Sequence, residues 1–325
     1  MSLARALLLF VSVLLGVQRV AAFDRCGDDV DGHGTAVACA CGDLLVSSHR
    51  LGAADPVVAA PCPGNALLVD ADGAVTLDFA GSTLTGSGQG AGVVVLRGSV
   101  ALVGPGTITG FETGVLARGG DGLASARNLR VSGNRLDGVF ASGAAFTIEG
   151  VVAESNGRDG FAIAGRNYAL DGNRAARNGR HGFRLVGTGA HVGGGLGNEA
   201  RDNVGDGFAL GGSLHQVVGA TAVGNGGDGV SANVGRSLFS AVRADANIGS
   251  GLYGVGGGVR IADSEASQNG AFGVWLMGTG AVDGGGNWGT ANAGLQARGM
   301  THPPASLAGW MAPFAQCRVG TAPCR

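Results

Sequence analysis

Arg158, Arg166, Arg174, Arg177, Arg180 and Arg184 fall within one stretch of the chain, with Asp159 and His181 among them. Arg158-Asp159 and Arg180-His181 are separated by 22 residues. In a chain that repeats at that period the two pairs project side by side. A guanidinium forks onto carboxylates, and an imidazole beside a fixed cation is a base next to a charge-neutralising group. His181, Arg180 and Asp159 are therefore the candidate catalytic residues. Arg158, Arg177 and Arg184 are the candidate substrate-binding residues, with an acidic polysaccharide as the matching substrate class. A solvated, salt-bridged face explains the same side chains without any activity, and it is the simpler reading.

Two further constellations carry possible chemistry. Asp137, Asp159, His181, Asp206, Asp228 and Ser250 each precede a Gly, and stacking would set them about 5 Å apart. Carboxylates in such a row could hold Ca²⁺ or share a proton, although Asp before Gly is also ordinary turn chemistry. His191 and His215 fall at nearly the same point of successive copies, a pairing that suits copper or zinc. No third ligand accompanies them, and Cys39-Ala40-Cys41 lacks the two-residue spacer of a zinc knuckle with only His33 and His49 nearby, so no metal site is assigned, with Ca²⁺ kept as possible.

What must position these residues is a repeat. Copies start at Gly92, Gly114, Gly138, Gly160, Gly182, Gly207, Gly229, Gly251, Gly273 and Gly294, mostly 22 residues apart. The next residue is always apolar: Val93, Val115, Val139, Phe161, Phe183, Phe208, Val230, Leu252, Val274 and Leu295. Four residues before a start stands Asn134, Asn156, Asn178, Asn203, Asn225, Asn247 or Asn269. The stretches between, such as Phe146 to Glu149 and Val259 to Ala262, alternate with period two and have no helical face. Short strands between Gly, Asn and Asp turns at this period read as a solenoid of about eleven or twelve stacked coils. The Asn column is expected to form an inward amide ladder that lapses in the last coil, and Phe161, Phe183 and Phe208 an aromatic stack.

Composition agrees. The 325 residues include 65 Gly but only 5% aromatics, which suits a narrow interior of Val, Ala, Ile and Leu. Every one of the 22 basic residues is Arg, against 24 acidic ones, so there is no basic footprint for nucleic acid. Arg5, the apolar run from Ala6 to Val17 and Val20-Ala21-Ala22 read as a secretory signal peptide over residues 1–22. No later stretch is long enough to span a membrane.

All six cysteines lie outside the regular copies: Cys26, Cys39, Cys41 and Cys62 before them, Cys317 and Cys324 after. In an exported chain they read as disulfides. Cys317 with Cys324 is the expected C-terminal pair, while the first four allow three connectivities. Residues 23–64 are expected to form a Cys-containing N-terminal cap, 65–296 the helix of strands, and 297–325 a Pro-rich C-terminal cap. In that last segment Trp310, Met311 and Phe314 could cover the apolar end.

The motif written NRLDGV (Asn134 to Val139), NGRDGF (Asn156 to Phe161), NVGDGF (Asn203 to Phe208) and NGGDGV (Asn225 to Val230) resembles the repeat of right-handed parallel β-helix proteins. These belong to the pectin-lyase-like fold, which includes NosD-like bacterial periplasmic proteins and alginate epimerases. GNWG (Gly286 to Gly289) resembles a motif of their last coils. The resemblance implies an all-β right-handed solenoid, and it says little about activity. The motifs of its polygalacturonases do not transfer: Asp28-Asp29 and Gly32-His33-Gly34 precede the coils, and without Lys an Arg-Ile-Lys motif is impossible. Of the epimerases' Asp-Pro-His-Asp only Asp55-Pro56 is present.

The sequence thus reads as a secreted, periplasmic or cell-surface protein, a monomer, in a non-catalytic carbohydrate-associated or structural role. The rival is a polysaccharide lyase or epimerase acting on a uronate polymer through the Arg158, Asp159, Arg180, His181 cluster. The nearly constant coil length counts against the rival, since a substrate groove needs long loops on one side.

Overall fold

The computed structural model describes residues 24–119, 122–293, 317–319 and 322–323. The leader, the tenth start at Gly294, the Cys317–Cys324 pairing and the Trp310, Met311 and Phe314 cover lie outside the described residues. The chain forms a right-handed all-β parallel solenoid of about 12 turns, each of roughly 22 residues. The 3-10 turn Pro56–Val58 is the only helical element among the described residues.

Period-two alternation decides which side chains enter the interior. In the strand Phe208–Ser213, Phe208 and Leu210 are buried while Ala209 and Gly211 are part-exposed. Each strand pairs with its equivalent one coil on, residue for residue, so columns of the sequence become columns in space. Phe161 pairs with Phe183 and Phe183 with Phe208, with ring centroids 4.7 Å apart in both cases and planes within 4°. Such contacts add about 0.5–1.5 kcal/mol per pair beyond burial.

The glycine that opens each copy has a steric reason. A Cβ on Gly160 would lie 2.7 Å from Asn178 Nδ2, 2.8 Å from the Gly182 carbonyl oxygen and 3.0 Å from Ala175 Cβ. The turn thus brings three columns together: Gly, the Asn amide, and the small Ala of the third strand. That junction is what the Asn-x-x-Asp-Gly motif encodes.

The Asn column is fully bonded. Asn178 donates from Nδ2 to Asn203 Oδ1 at 2.9 Å and to the Ala153 carbonyl at 3.1 Å, while its Oδ1 accepts from both the backbone N–H and Nδ2 of Asn156. The same pattern runs through Asn134, Asn156, Asn203, Asn225, Asn247 and Asn269, all buried. It does not lapse where expected. Asn269 continues onto Asn292, 23 residues on, because one extra residue in the last turn is absorbed without moving the amide.

The early coils turn differently. Leu67–Asp78, Ala91–Thr109 and Leu123–Ser132 are long strands that bend through the corners, with register shifts between Val69 and Ala74 and again near Val100 and Val103. Ahead of them, Arg25–Cys26 stacks in parallel on Asp43–Leu45, which stacks on Leu67–Val69, so residues 24–64 share the register of the coils. The disulfides there are Cys26–Cys39 and Cys41–Cys62, one of the three pairings open from sequence. Closing loops of 13 and 21 residues stabilises the first coil by about 3 kcal/mol each.

Candidate functional site

The Asp and His residues that precede each glycine form a second kind of ladder. The backbone N–H of Asp159 donates to Asp137 Oδ1 at 3.1 Å, and that of His181 to Asp159 Oδ1 at 3.2 Å. Asp206 N–H donates to His181 Nδ1 at 3.1 Å, Asp228 N–H to Asp206 Oδ1 at 2.8 Å, and Ser250 N–H to Asp228 Oδ1 at 2.6 Å. Each side chain accepts from the backbone of the following coil, not from its own turn as Asp-Gly chemistry alone suggests. His181 occupies the column because its Nδ1 serves as an acceptor where the other members use an oxygen.

This bond fixes the state of the imidazole. Nδ1 can accept only if it carries no proton, so the neutral ring holds its hydrogen on Nε2. Burial pushes the His181 ring below its ordinary value, and Arg180 and Arg184 act in the same direction against Asp206 and Asp159. The Asp206 carboxylate, 3.5 Å from Nδ1, is therefore a neighbour of a lone pair and not the partner of an imidazolium.

Asp159 is fully buried and gathers the cations. Arg180 forks onto it, Nε to Oδ1 at 2.9 Å and Nη2 to Oδ2 at 3.0 Å, and Arg184 Nε reaches Oδ2 at 2.8 Å. His181, Arg180, Asp159 and Arg184 are thus brought together as the sequence suggested. Arg158 sits one coil back, with Nε 3.7 Å from Asp137, whose carboxyl is raised chiefly by burial. Arg177 lies apart: its left-handed backbone (φ 53°) sends Nη2 to Glu154 at 2.6 Å, where Arg130 is the other partner. A calcium ion would have to compete for carboxylate oxygens that already accept guanidinium and backbone N–H groups, in a row broken by His181.

His191 and His215 do not form a pair. His191 stacks on Gln216, so the two histidines are offset by one residue and point to opposite faces. His191 is exposed and His215 is fully buried, with Nε2 3.2 Å from the Gly211 carbonyl.

Sequence reasoning missed the outward column beside this ladder. Phe140, Ala162, Arg184, Ala209, Ser231, Tyr253 and Trp275 are in direct register on successive strands. At about 4.8 Å per coil, Arg184 and Tyr253 stand roughly 14 Å apart with only the small Ala209 and Ser231 between them. Tyr253 packs edge-on against Trp275 at 5.6 Å and 78°, and Trp275 against Phe272 at 4.3 Å and 61°. The Tyr253 phenol is raised by partial burial and by Asp228. At the opposite end the Arg118 guanidinium lies 5.3 Å over the Phe140 ring. The signal was present in the sequence as the residue after each inward apolar one, where alternation demands an outward side chain.

A second amide ladder was also missed. Val151 N–H donates to Asn173 Oδ1 and Asn173 to Asn198 Oδ1, and farther along the corner Ser264 N–H donates to Asn287 Oδ1. Asn287 belongs to the GNWG motif.

No curated protein sequence matches the chain. Among solved structures, it is similar to the A-module of the Azotobacter vinelandii mannuronan C-5 epimerase AlgE4, with 16% identity over 78% of this chain and 87% of that one, TM-score 0.45. It is also similar to the periplasmic alginate epimerase AlgG (14% identity, 71% and 72% of the chains, TM-score 0.42). The Agl-KA catalytic domain matches with 13% identity, 78% of this chain and 59% of that one, and a TM-score of 0.42. The profile of the right handed beta helix region family matches residues 65–238, and with the ladders described above the chain belongs to that family.

Proposed function

We propose that this is a secreted, non-catalytic carbohydrate-associated surface protein whose glycan-contacting strip is the outward column from Ala209 to Trp275. The observation that carries the non-catalytic reading is the bond from Asp206 N–H to His181 Nδ1. It takes the one lone pair the imidazole could offer as a base. Asp159 holds Arg180 through both Nε and Nη2, so that fork is occupied, and ties Arg184 through Nε.

Support for the strip comes from shape and chemistry. Ala209 and Ser231 leave a shallow floor bordered by the Tyr253–Trp275 pair, and aromatic faces stack well on the C–H faces of sugar rings. Asp206 and Asp228 line one edge and supply oxygen acceptors for hydroxyl groups. Sugar units along an extended glycan advance by a distance similar to the coil rise. Acidic residues at that edge favour a neutral glycan over a uronate polymer. The leader read over residues 1–22 and the two disulfides support an oxidising, extracytoplasmic setting.

The test is a panel of immobilised neutral and uronate polysaccharides with the mature protein, scored for retention and for unsaturated or epimerised product. Retention without product, weakened in Tyr253→Ala, is expected. Product formation lost in His181→Ala would establish the lyase or epimerase reading instead, and absence of retention on every glycan would remove the carbohydrate role.

A further inference from the structure

The N-terminal cap contains a buried donor set that the coils do not use. Cys39, His49 and Asp55 each place one ligand atom within 4.8 Å of the others, and all three are buried. Cys26, also fully buried, is bonded to Cys39. Around them the supporting contacts are already in place. His49 Nε2 faces Asp55 Oδ1 at 2.8 Å, and its Nδ1 faces Asp28 Oδ1 at 2.7 Å. Asp55 Oδ1 also accepts the Cys39 backbone N–H at 2.7 Å, and Oδ2 that of Gly52 at 2.7 Å. Both ring nitrogens thus face carboxylate oxygens at hydrogen-bonding distance.

We propose that reduction of Cys26–Cys39 turns this cluster into a tetrahedral zinc site, with Cys26 Sγ, Cys39 Sγ, His49 Nε2 and Asp55 Oδ1 as ligands. Thiolate, imidazole and carboxylate are each groups that zinc binds, and four of them complete the tetrahedral shell of its structural sites. The orienting contact is present in advance: a ligating histidine characteristically donates its other N–H to a carboxylate, and Asp28 holds that place. Cys41 and Cys62 belong to the other disulfide and are not ligands.

The chemistry balances. A phosphine takes one oxygen from water as it reduces the disulfide, leaving two thiols. Zn²⁺ then displaces one proton from each thiol and the proton shared in the His49 Nε2–Asp55 Oδ1 hydrogen bond, three in all. Re-oxidation runs by exchange with an external disulfide, such as that of a thiol oxidase: two electrons pass to it, it leaves as a dithiol, and the metal is released. The cap therefore has two closures, a metal-bound one for the newly exported reduced chain and the covalent one seen here.

The test uses the full mature chain, purified oxidised, reduced with a phosphine under inert gas and titrated with Co²⁺ as the spectroscopic stand-in for Zn²⁺. The expected result is a thiolate charge-transfer band with tetrahedral visible bands in the reduced protein only. The band should persist in Cys41→Ser and vanish in Cys39→Ser. Asp28→Asn, which removes the orienting carboxylate and no ligand, should weaken Co²⁺ binding about 10–100-fold. Its oxidised form should keep the wild-type circular dichroism. A reduced wild-type protein without the bands overturns the proposal, as do bands that survive Cys39→Ser or that appear in the oxidised protein.

Discussion

The outward face has two ends, one of paired charges around Asp159 and one of packed aromatics at Tyr253 and Trp275. At the arginine end, around Asp159, the groups are tied to other parts of the fold: Arg180 forks onto the carboxylate, Arg184 reaches it through Nε, and His181 Nδ1 accepts from the next coil's backbone. At the aromatic end, Tyr253 and Trp275 make no ladder and hold no corner. Tyr253 packs on Trp275, and the half-buried Trp275 packs on the buried Phe272. A cluster of ionisable side chains is therefore not evidence of chemistry until their lone pairs and protons have been accounted for.

Substitutions can break this comparison. The largest effect on stability is expected for Asp159→Ala, which leaves two guanidinium groups unpaired and removes the acceptor for the His181 N–H. A loss of about 3 kcal/mol in chemical denaturation is expected, with glycan retention by the folded protein unchanged. Tyr253→Ala should do the reverse. Retention should fall about tenfold, equivalent to about 1.4 kcal/mol, while the unfolding midpoint stays close to wild type.

Acid should weaken the arginine end through His181. Folding lowers the proton affinity of His181, so the unfolded chain is protonated first. The contribution of the neutral ring is complete above about pH 6.5 and declines as pH falls below it. His215 is shifted in the same direction by burial, so wild-type pH dependence contains both. The difference between wild type and His181→Asp isolates the first. That variant restores the oxygen acceptor found elsewhere in the column, and it should change stability at pH 7.5 by no more than about 0.5 kcal/mol. Nitrogen chemical shifts of the wild-type ring at the same pH should show the hydrogen on Nε2.

Much of this architecture was legible in the sequence, because in a solenoid a column of letters is a column in space. The apolar residue after each glycine, the Phe161–Phe183–Phe208 stack and the Asn rungs from Asn134 to Asn269 follow from period alone. Asn292 was hidden by a one-residue change of step, and Asn173, Asn198 and Asn287 by the alternation of Asn with other residues in their column. The grouping of Asp159, Arg180, His181 and Arg184 was also legible, since stacking predicts it. Hydrogen-bond direction was not: nothing in the letters says whether a turn carboxylate bonds its own loop or the next coil. Cys39 and His49 were legible as neighbours, but Asp28 and Asp55 were not, because they reach His49 through an irregular cap with no repeat to set a register.

The most direct test of the account sets the two ends side by side. Arg180→Ala/Arg184→Ala and Tyr253→Ala are compared on the same immobilised glycan, with folded fraction matched by circular dichroism. The account predicts that retention drops about tenfold in Tyr253→Ala and is unchanged in the double arginine variant. Retention abolished in the arginine variant and preserved in Tyr253→Ala would contradict it, and would place glycan contact at the charged cluster instead.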